Sequence, residues 1–197
     1  MKNFKNYLLA SALGFGLLLS SCGDDDAPEE ENVVEVFTDV TLIFTPTSGT
    51  PVTASATDPD GAGASPLVVS GPINLAANTS YTLTYDIKNA LDPNDVEDIG
   101  AEILEEDNEH QFFFQFTDGA FTDPTGNGNI GASGTVNYDD MDENGCVVGL
   151  ETSWTTGDAQ TASFRVNLQH QPGEKTCSTG SDTGDTDFDL TFVLNIQ

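Results

Sequence analysis

Apolar side chains recur at every second position along much of this chain, which is the spacing of a β-strand with one buried face. The longest such run carries its apolar residues on one parity: Phe188, Leu190, Phe192, Leu194 and Ile196. Residues 34–44, 81–88 and 164–170 alternate in the same way. Because a helix needs apolar residues three and four apart, these four runs predict half-buried strands that share a core.

Shorter alternating runs, separated by turn-forming residues, predict further strands near residues 52–57, 67–70, 111–117, 134–138 and 148–155. Residues 95–106 differ, because their apolar residues have helical spacing: Val96, Ile99 and Ile103. Asp92 or Asn94 is expected to cap this helix. We therefore predict a mainly β fold over residues 34–197, a single antiparallel β-sandwich, immunoglobulin-like or barrel-like, with one short helix.

Residues 1–21 have the parts of a secretory signal, with two lysines at the start and an apolar run from Tyr7 to Leu19. This run is shorter than the roughly 20 apolar residues that a membrane span needs. Leu19-Ser20-Ser21-Cys22 resembles the lipobox of bacterial lipoproteins. The resemblance implies that residues 1–21 are removed and that Cys22 carries the lipid. An ordinary signal peptide followed by an incidental cysteine is the alternative.

Residues 23–31 are strongly acidic and contain no apolar residue larger than proline. We therefore predict that residues 22–33 form an acidic, disordered tether. The aspartate run just after Cys22 resembles the surface-export signal of Bacteroidetes lipoproteins. The resemblance implies an outer-membrane protein that is held by its lipid and exposed at the cell surface; a lipoprotein facing the periplasm is the second choice.

The charge balance of the chain is extreme, with 33 acidic residues against five basic ones, two of which belong to the signal peptide. Such a surface repels phosphate backbones and argues against a nucleic-acid partner. It is compatible with cation binding, and equally with general solvation of a protein in salty water. The two cysteines of the mature domain, Cys146 and Cys177, are expected to form a disulfide in an oxidising compartment. A metal-binding cysteine pair is the alternative.

His110 and His170 are the two histidines of the chain. His110 opens one alternating run and His170 closes another, each on the apolar parity. If these strands are antiparallel neighbours, both imidazoles lie at the same end of the sandwich. With the nearby Glu106 and Glu109 they would suit zinc or copper, and an imidazole pair can also ligate haem iron. Two ordinary histidines at the rim of a core are the alternative.

A second candidate site spans Asp140 to Glu151, which matches the calcium-loop pattern D-x-[DN]-x-[DN]-G-x5-E. The ligands would be Asp140, Asp142, Asn144 and Glu151, because calcium takes alternating oxygen ligands around a tight glycine turn. Strands flank this loop, whereas helices flank a true EF-hand. An acidic hairpin turn is therefore the alternative, with Asn144 and the glycine after it supplying positive φ angles.

Catalytic signatures such as GxSxG and HExxH do not occur in the sequence, so we expect a protein that is not an enzyme. The chain as a whole looks like a group of small flavobacterial lipoproteins. The resemblance lies in the lipobox with its acidic run and in residues 105–112 and 168–172. Members of that group carry the label "type 1 periplasmic binding fold superfamily protein", which implies a two-lobed α/β receptor. The strand pattern of this chain departs from that architecture throughout.

The group also resembles, more distantly, outer-membrane lipoproteins that serve TonB-dependent transporters in Bacteroidetes. This resemblance implies a surface protein that captures a metal ion or metal complex and passes it to a TonB-dependent receptor. A structural or adhesive surface module with no small ligand is the alternative.

Overall fold

The computed structural model of the protein describes residues 35–58, 60–61, 66–131 and 134–197. These residues belong to one compact unit, Val34–Gln197. The predicted signal peptide, the lipid-bearing Cys22 and the tether at residues 22–33 lie outside the described residues. In the part of the chain that is described, no helix combines the length and the apolar character needed to cross a membrane.

Twelve strands and one helix are formed by the described residues. In chain order they are β1 Asp39–Pro46, β2 Val52–Thr57, β3 Val68–Val69, β4 Ile73–Leu75, β5 Ser80–Asn89, β6 Glu97–Asp98, α1 Ile99–Glu105, β7 His110–Phe116, β8 Phe121–Asp123, β9 Asn137–Tyr138, β10 Thr152–Thr156, β11 Gln160–His170 and β12 Asp185–Ile196. The prediction of a mainly β fold with one short helix is confirmed. The long strands overlap the alternating runs, because burying one face of each strand is what the alternation encodes, but β1 begins only at Asp39 and β11 begins as early as Gln160.

The strands form two sheets that pack face to face. The first has the order β3-β2-β1-β5-β10-β8, with β6 added on β5 and β9 on β10. The second has the order β4-β12-β11-β7. Among these strands the pairs are antiparallel, with the exception of β4, which pairs with β12 in parallel. The sandwich therefore carries one parallel edge, which the alternation did not indicate.

Aromatic side chains from both sheets fill the centre of the sandwich. Trp154 of β10 is 1% exposed. Its ring centroid lies 5.2 Å from the ring of Phe114 in β7 and 5.2 Å from that of Phe164 in β11. Phe44 of β1 packs against the same Phe164 at 5.8 Å. Such edge-to-face contacts add about 0.5–1.5 kcal/mol each beyond the burial of area, so these rings join the two sheets firmly.

The helix is shorter than predicted and begins at a different cap. Its N-cap is Asp98, not Asp92 or Asn94. Val96, which was expected on the buried face, precedes the helix and is 48% exposed. The difference has a local cause: the two residues of β6 pair with β5 and keep the chain extended until the helix starts.

Strand pairing brings the ends of three strands together at one edge of the second sheet. β7 begins with His110 and β11 ends with His170, and these residues are direct partners in the antiparallel register. β12 begins beside the end of β11, where Asp185 is the partner of His170. The register of β12 shifts at this point, because Gln169 pairs with Thr186 whereas Leu168 pairs with Phe188. Asp187 is thus the extra residue of a β-bulge.

Candidate metal centre

The structure places His110 and His170 side by side. Their rings are stacked, with centroids 4.4 Å apart and an angle of 3° between the ring planes. One nitrogen of each ring and a carboxylate oxygen of Glu106 lie within 4.8 Å of one another. Glu109 also lies near His170, with its Oε2 3.5 Å from His170 Nε2. All four residues of the predicted histidine site are therefore near this edge.

Stacking makes the two histidines poor joint ligands for one ion. The lone pair of an imidazole nitrogen lies in the plane of its ring, and the planes of His110 and His170 are nearly parallel. An ion about 2.0–2.1 Å from both nitrogens would have to leave at least one plane. In this arrangement the histidine pair fits a shared ion only after one ring turns, and Glu109 contacts His170 without approaching His110.

A second cluster on the same edge was not anticipated from the sequence, and it consists of Glu35, His110 and Asp187. His110 Nε2 lies 3.4 Å from Glu35 Oε1 and 3.7 Å from Asp187 Oδ2. The side chain of His110 is 0% exposed, and those of the two acids are 11% exposed each. One potential ligand atom from each of the three residues lies within 4.8 Å of the other two.

The other nitrogen of His110 is already occupied. His110 Nδ1 lies 3.2 Å from the backbone carbonyl oxygen of Glu106. A ring nitrogen that faces a carbonyl must carry the proton, so Nδ1–H donates to Glu106. In the neutral imidazole this leaves the lone pair on Nε2, aimed at two carboxylates. Metal-binding histidines are commonly oriented in this way by a carbonyl behind them.

Unpartnered polar atoms are concentrated at this edge of the sandwich. Among the described residues, five buried side-chain nitrogen or oxygen atoms make no hydrogen bond, and four of them are Glu35 Oε2, His110 Nε2, His170 Nε2 and Asp187 Oδ2. Buried polar atoms are almost always paired, because leaving one unpaired costs about 1–3 kcal/mol. One polar atom each of Glu35, His110 and Asp187 lies within 4.8 Å of the other two, so a proton or a cation between them would compensate the unpaired groups.

The pKa shifts of Asp187 and His110 also indicate that the cluster carries excess negative charge. Burial, followed by the negative charge of Glu35, raises the pKa of Asp187 to about 7. Burial alone would lower the pKa of His110, but the nearby carboxylates of Glu35 and Asp187 outweigh it and the pKa is raised. Excess negative charge in a poorly solvated space therefore favours either protonation or a bound cation.

Two local features position the acids that sequence reasoning missed. Asp187 shares the parity of the outward-facing residues of β12, and the β-bulge re-aims it toward His110, as bulges do. Glu35 precedes β1, and the segment after it is fixed where the ring of Phe37 packs edge-on against Phe188 at 5.5 Å. Neither feature leaves a pattern in the sequence, because a bulge is one residue long and Glu35 is one acid among many.

The calcium loop predicted at residues 140–151 is not supported by the geometry. Asp140 accepts backbone N–H groups of Gly149 and Leu150 through its two carboxylate oxygens, at 2.8 Å each. Gly145 has the expected positive φ, 78°, whereas Asn144 is not among the non-glycine residues with positive φ, so that part of the expectation is wrong. Glu151 is exposed. The segment is the acidic turn that stood as the alternative, and its carboxylates satisfy backbone donors.

Asp142, which was predicted to bind calcium, pairs with a lysine instead. Lys175 Nζ lies 3.0 Å from Asp142 Oδ2, and the two side chains are 1% and 2% exposed. The other oxygen of Asp142 accepts the backbone N–H groups of Asn144 and Cys146 at 2.9 Å each. Burial alone would raise the pKa of Asp142, but the Cys146 N–H and the Lys175 ammonium lower it. Asp142 is therefore an ionised carboxylate, and both of its oxygens already have partners within the protein.

A disulfide joins Cys146 to Cys177, across a sequence separation of 31 residues. It ties the acidic turn to the loop that precedes β12, which is the loop that carries Lys175. A loop of this length predicts about 3–4 kcal/mol of stabilisation, mainly because the crosslink restricts the unfolded chain.

Reduction of this disulfide is therefore expected to lower the free energy of unfolding by about 3–4 kcal/mol. Urea unfolding of the Cys22→Ala protein with and without reductant measures the change. A Cys146→Ala/Cys177→Ala double variant is the control, and it should match the reduced protein and ignore reductant. Equal midpoints in oxidised and reduced protein would contradict the prediction.

The sequence matches no protein-family model, and the comparisons with curated proteins and with solved structures gave no match.

Proposed function

We propose that this protein is a lipid-anchored, non-catalytic accessory lipoprotein of the outer membrane that captures a divalent metal ion at the edge of the sandwich where His110 lies. The lipid on Cys22 holds it at the membrane, and residues 22–33 connect the lipid-bearing cysteine to the folded domain. The cell surface is the favoured side, and a TonB-dependent receptor is the kind of partner to which a captured ion would be passed.

One observation carries the proposal: a fully buried imidazole nitrogen without a hydrogen-bond partner faces two carboxylates that are also short of partners. A structural histidine at the rim of a core normally satisfies both nitrogens. An imidazole with two carboxylates is instead a ligand set that suits divalent ions such as zinc.

The charge of the chain supports the same role. With 33 acidic residues against five basic ones, the protein attracts cations over several ångströms and raises their concentration near its surface. The same charge repels nucleic acids. The attraction is general, however, so selectivity for one ion depends on the buried cluster.

Metal titration of the secreted chain carrying Cys22→Ala tests the proposal. Zinc or copper is expected to bind with measurable heat and to raise the melting temperature, because an ion at 100 times its Kd stabilises the folded state by about 2.7 kcal/mol. Calcium should do neither, since the acidic turn at Asp142 holds a lysine in its place. Haem is included as a metal complex.

A His110→Gln variant is the control for the place of binding, and it should lose the zinc response while keeping the fold. If neither zinc, copper nor haem releases heat or shifts the melting temperature of the Cys22→Ala protein, capture is wrong. The structural or adhesive surface module then becomes the better description.

A further inference from the structure

We propose that the ion is bound by Glu35, His110 and Asp187, and that it fastens the segment leading from the membrane tether onto the folded domain. This inference rests on the proposed function and deepens it. It assigns the ligands to three separate parts of the chain. His170, Glu106 and Glu109 orient or surround the site without binding the ion.

The spacing of the three residues suits a small ion. Two ligand atoms that each lie about 2.1 Å from a tetrahedral ion are about 3.4 Å apart. His110 Nε2 is 3.4 Å from the nearest oxygen of Glu35 and 3.7 Å from that of Asp187. A zinc-sized ion therefore needs only small side-chain movements to reach all three. The stacked histidine pair would need one ring to rotate out of its contact.

The chemistry of the set favours a divalent first-row ion. Two carboxylates supply two negative charges, which balance a divalent cation in a space that water hardly reaches. One imidazole nitrogen with two oxygens suits zinc, manganese or ferrous iron. Calcium prefers six to eight oxygen ligands, and this cluster offers too few. Three protein ligands also leave one position of a tetrahedral ion open for a water molecule or another ligand.

The residues around His110 are placed to support this role. The carbonyl of Glu106 holds the proton on Nδ1 and so presents Nε2 to the two acids. The ring of His170 lies flat against that of His110 and fixes its plane. His170 is therefore a positioning residue, and its own Nε2 is directed at Glu109.

Glu35 links the proposed ion to the N-terminal segment of the domain, which follows the predicted tether. It lies two residues after the acidic segment 22–33, whereas His110 begins β7 and Asp187 lies in β12. The backbone from Glu35 to β1 is held by a hydrogen bond from the Thr38 N–H to the Lys88 carbonyl oxygen at 2.9 Å. An ion on Glu35 adds an attachment two residues before Phe37, whose ring already packs against Phe188.

Zinc titration of matched variants in the Cys22→Ala background tests the assignment. Glu35→Gln and Asp187→Asn keep the shape of each side chain and remove its charge. Loss of a residue that orients a metal ligand without touching the metal commonly costs about 10–100-fold in affinity. Loss of a direct ligand should therefore cost more than about 100-fold. Glu106→Gln and Glu109→Gln are the controls, and each should bind zinc within about tenfold of the parent, whereas loss of the positioning residue in His170→Gln should cost about 10–100-fold in affinity.

Hydrogen exchange in the Cys22→Ala protein, with and without zinc, supplies a measurement that does not depend on the ligand variants folding. Zinc should slow exchange of the backbone amides at residues 36–38 in the Cys22→Ala protein, because the ion fixes Glu35. The effect should disappear in Glu35→Gln and persist in Glu109→Gln. Melting curves in chelator confirm that each variant is folded before its affinity is compared.

The outcomes separate the two proposals. If the parent protein binds no metal, the proposed function fails. If the parent binds zinc but Glu35→Gln and Asp187→Asn bind it equally well, or zinc leaves exchange at residues 36–38 unchanged, capture stands and this ligand set is wrong. Weak binding in the two acid variants together with slowed exchange in the parent supports it.

Discussion

Replacing Lys175 with methionine is expected to lower the free energy of unfolding by about 3–5 kcal/mol at neutral pH, because it leaves a buried carboxylate without its counter-charge. Lys175 and Asp142 are 3.0 Å apart and almost fully buried. The ammonium also donates to the backbone carbonyl of Asp107, so its removal unpairs a second acceptor. Methionine keeps most of the stem volume, and the loss therefore reports on charge more than on packing.

The exposed pair Lys88–Asp86 offers a matched control. Its nitrogen and oxygen are 2.7 Å apart, but the side chains are 42% and 45% exposed. Solvent screens such a pair, and Lys88→Met should therefore lower the free energy of unfolding far less than Lys175→Met does. Urea unfolding of both variants in the Cys22→Ala background gives the comparison. Similar losses for the two lysines would show that burial of the Asp142 pair has little energetic weight.

The loss of unfolding free energy caused by Lys175→Met should depend on pH in a defined direction. In the parent protein the folded pKa of Asp142 is lowered, so its contribution is present above the unfolded value near 3.8 and is lost as pH falls through the folded pKa. Without Lys175 the buried carboxylate gains stability by taking up a proton. The difference between parent and variant should therefore be largest at neutral pH and shrink toward pH 4.

The strands could be predicted from the sequence where one face is continuously buried. β5, β11 and β12 are long and alternate cleanly, so the runs locate them, and their bounds differ from those of the runs by at most four residues. The very short strands β6 and β8 leave no such trace, since two or three residues cannot define a period. The parallel pairing of β4 with β12 was also hidden, because alternation reports which face is buried but not which strand is the neighbour.

The candidate site was predictable in its location and not in its composition. The parity of the two histidines placed them on the core side of their strands, and chain direction placed them at one end. Asp187 was missed because a bulge reverses its parity, and Glu35 because nothing local marks it. The calcium pattern has the right local spacing, but the sequence did not reveal that Lys175, which is distant along the chain, pairs with Asp142.

Changing Cys22 to alanine is expected to release the protein from membranes almost completely. Lipid attachment contributes about 0.8 kcal/mol per buried methylene group, and one acyl chain alone gives only marginal binding, with an association constant of about 10⁴ M⁻¹. A lipoprotein cysteine with two or three chains is held far more firmly. Removing all of them at once should therefore have a larger effect than any other single substitution in this chain.

Labelled fatty acid and membrane fractionation measure the anchoring directly. The parent should incorporate label and sediment with the outer membrane, whereas Cys22→Ala should carry no label and remain in the soluble fraction. The Cys146→Ala/Cys177→Ala variant is the matched control, since it loses two cysteines without touching the lipobox and should stay labelled and membrane-bound. Label retained by Cys22→Ala, or lost in the control, would place the lipid on another residue and remove the basis for an anchor at Cys22.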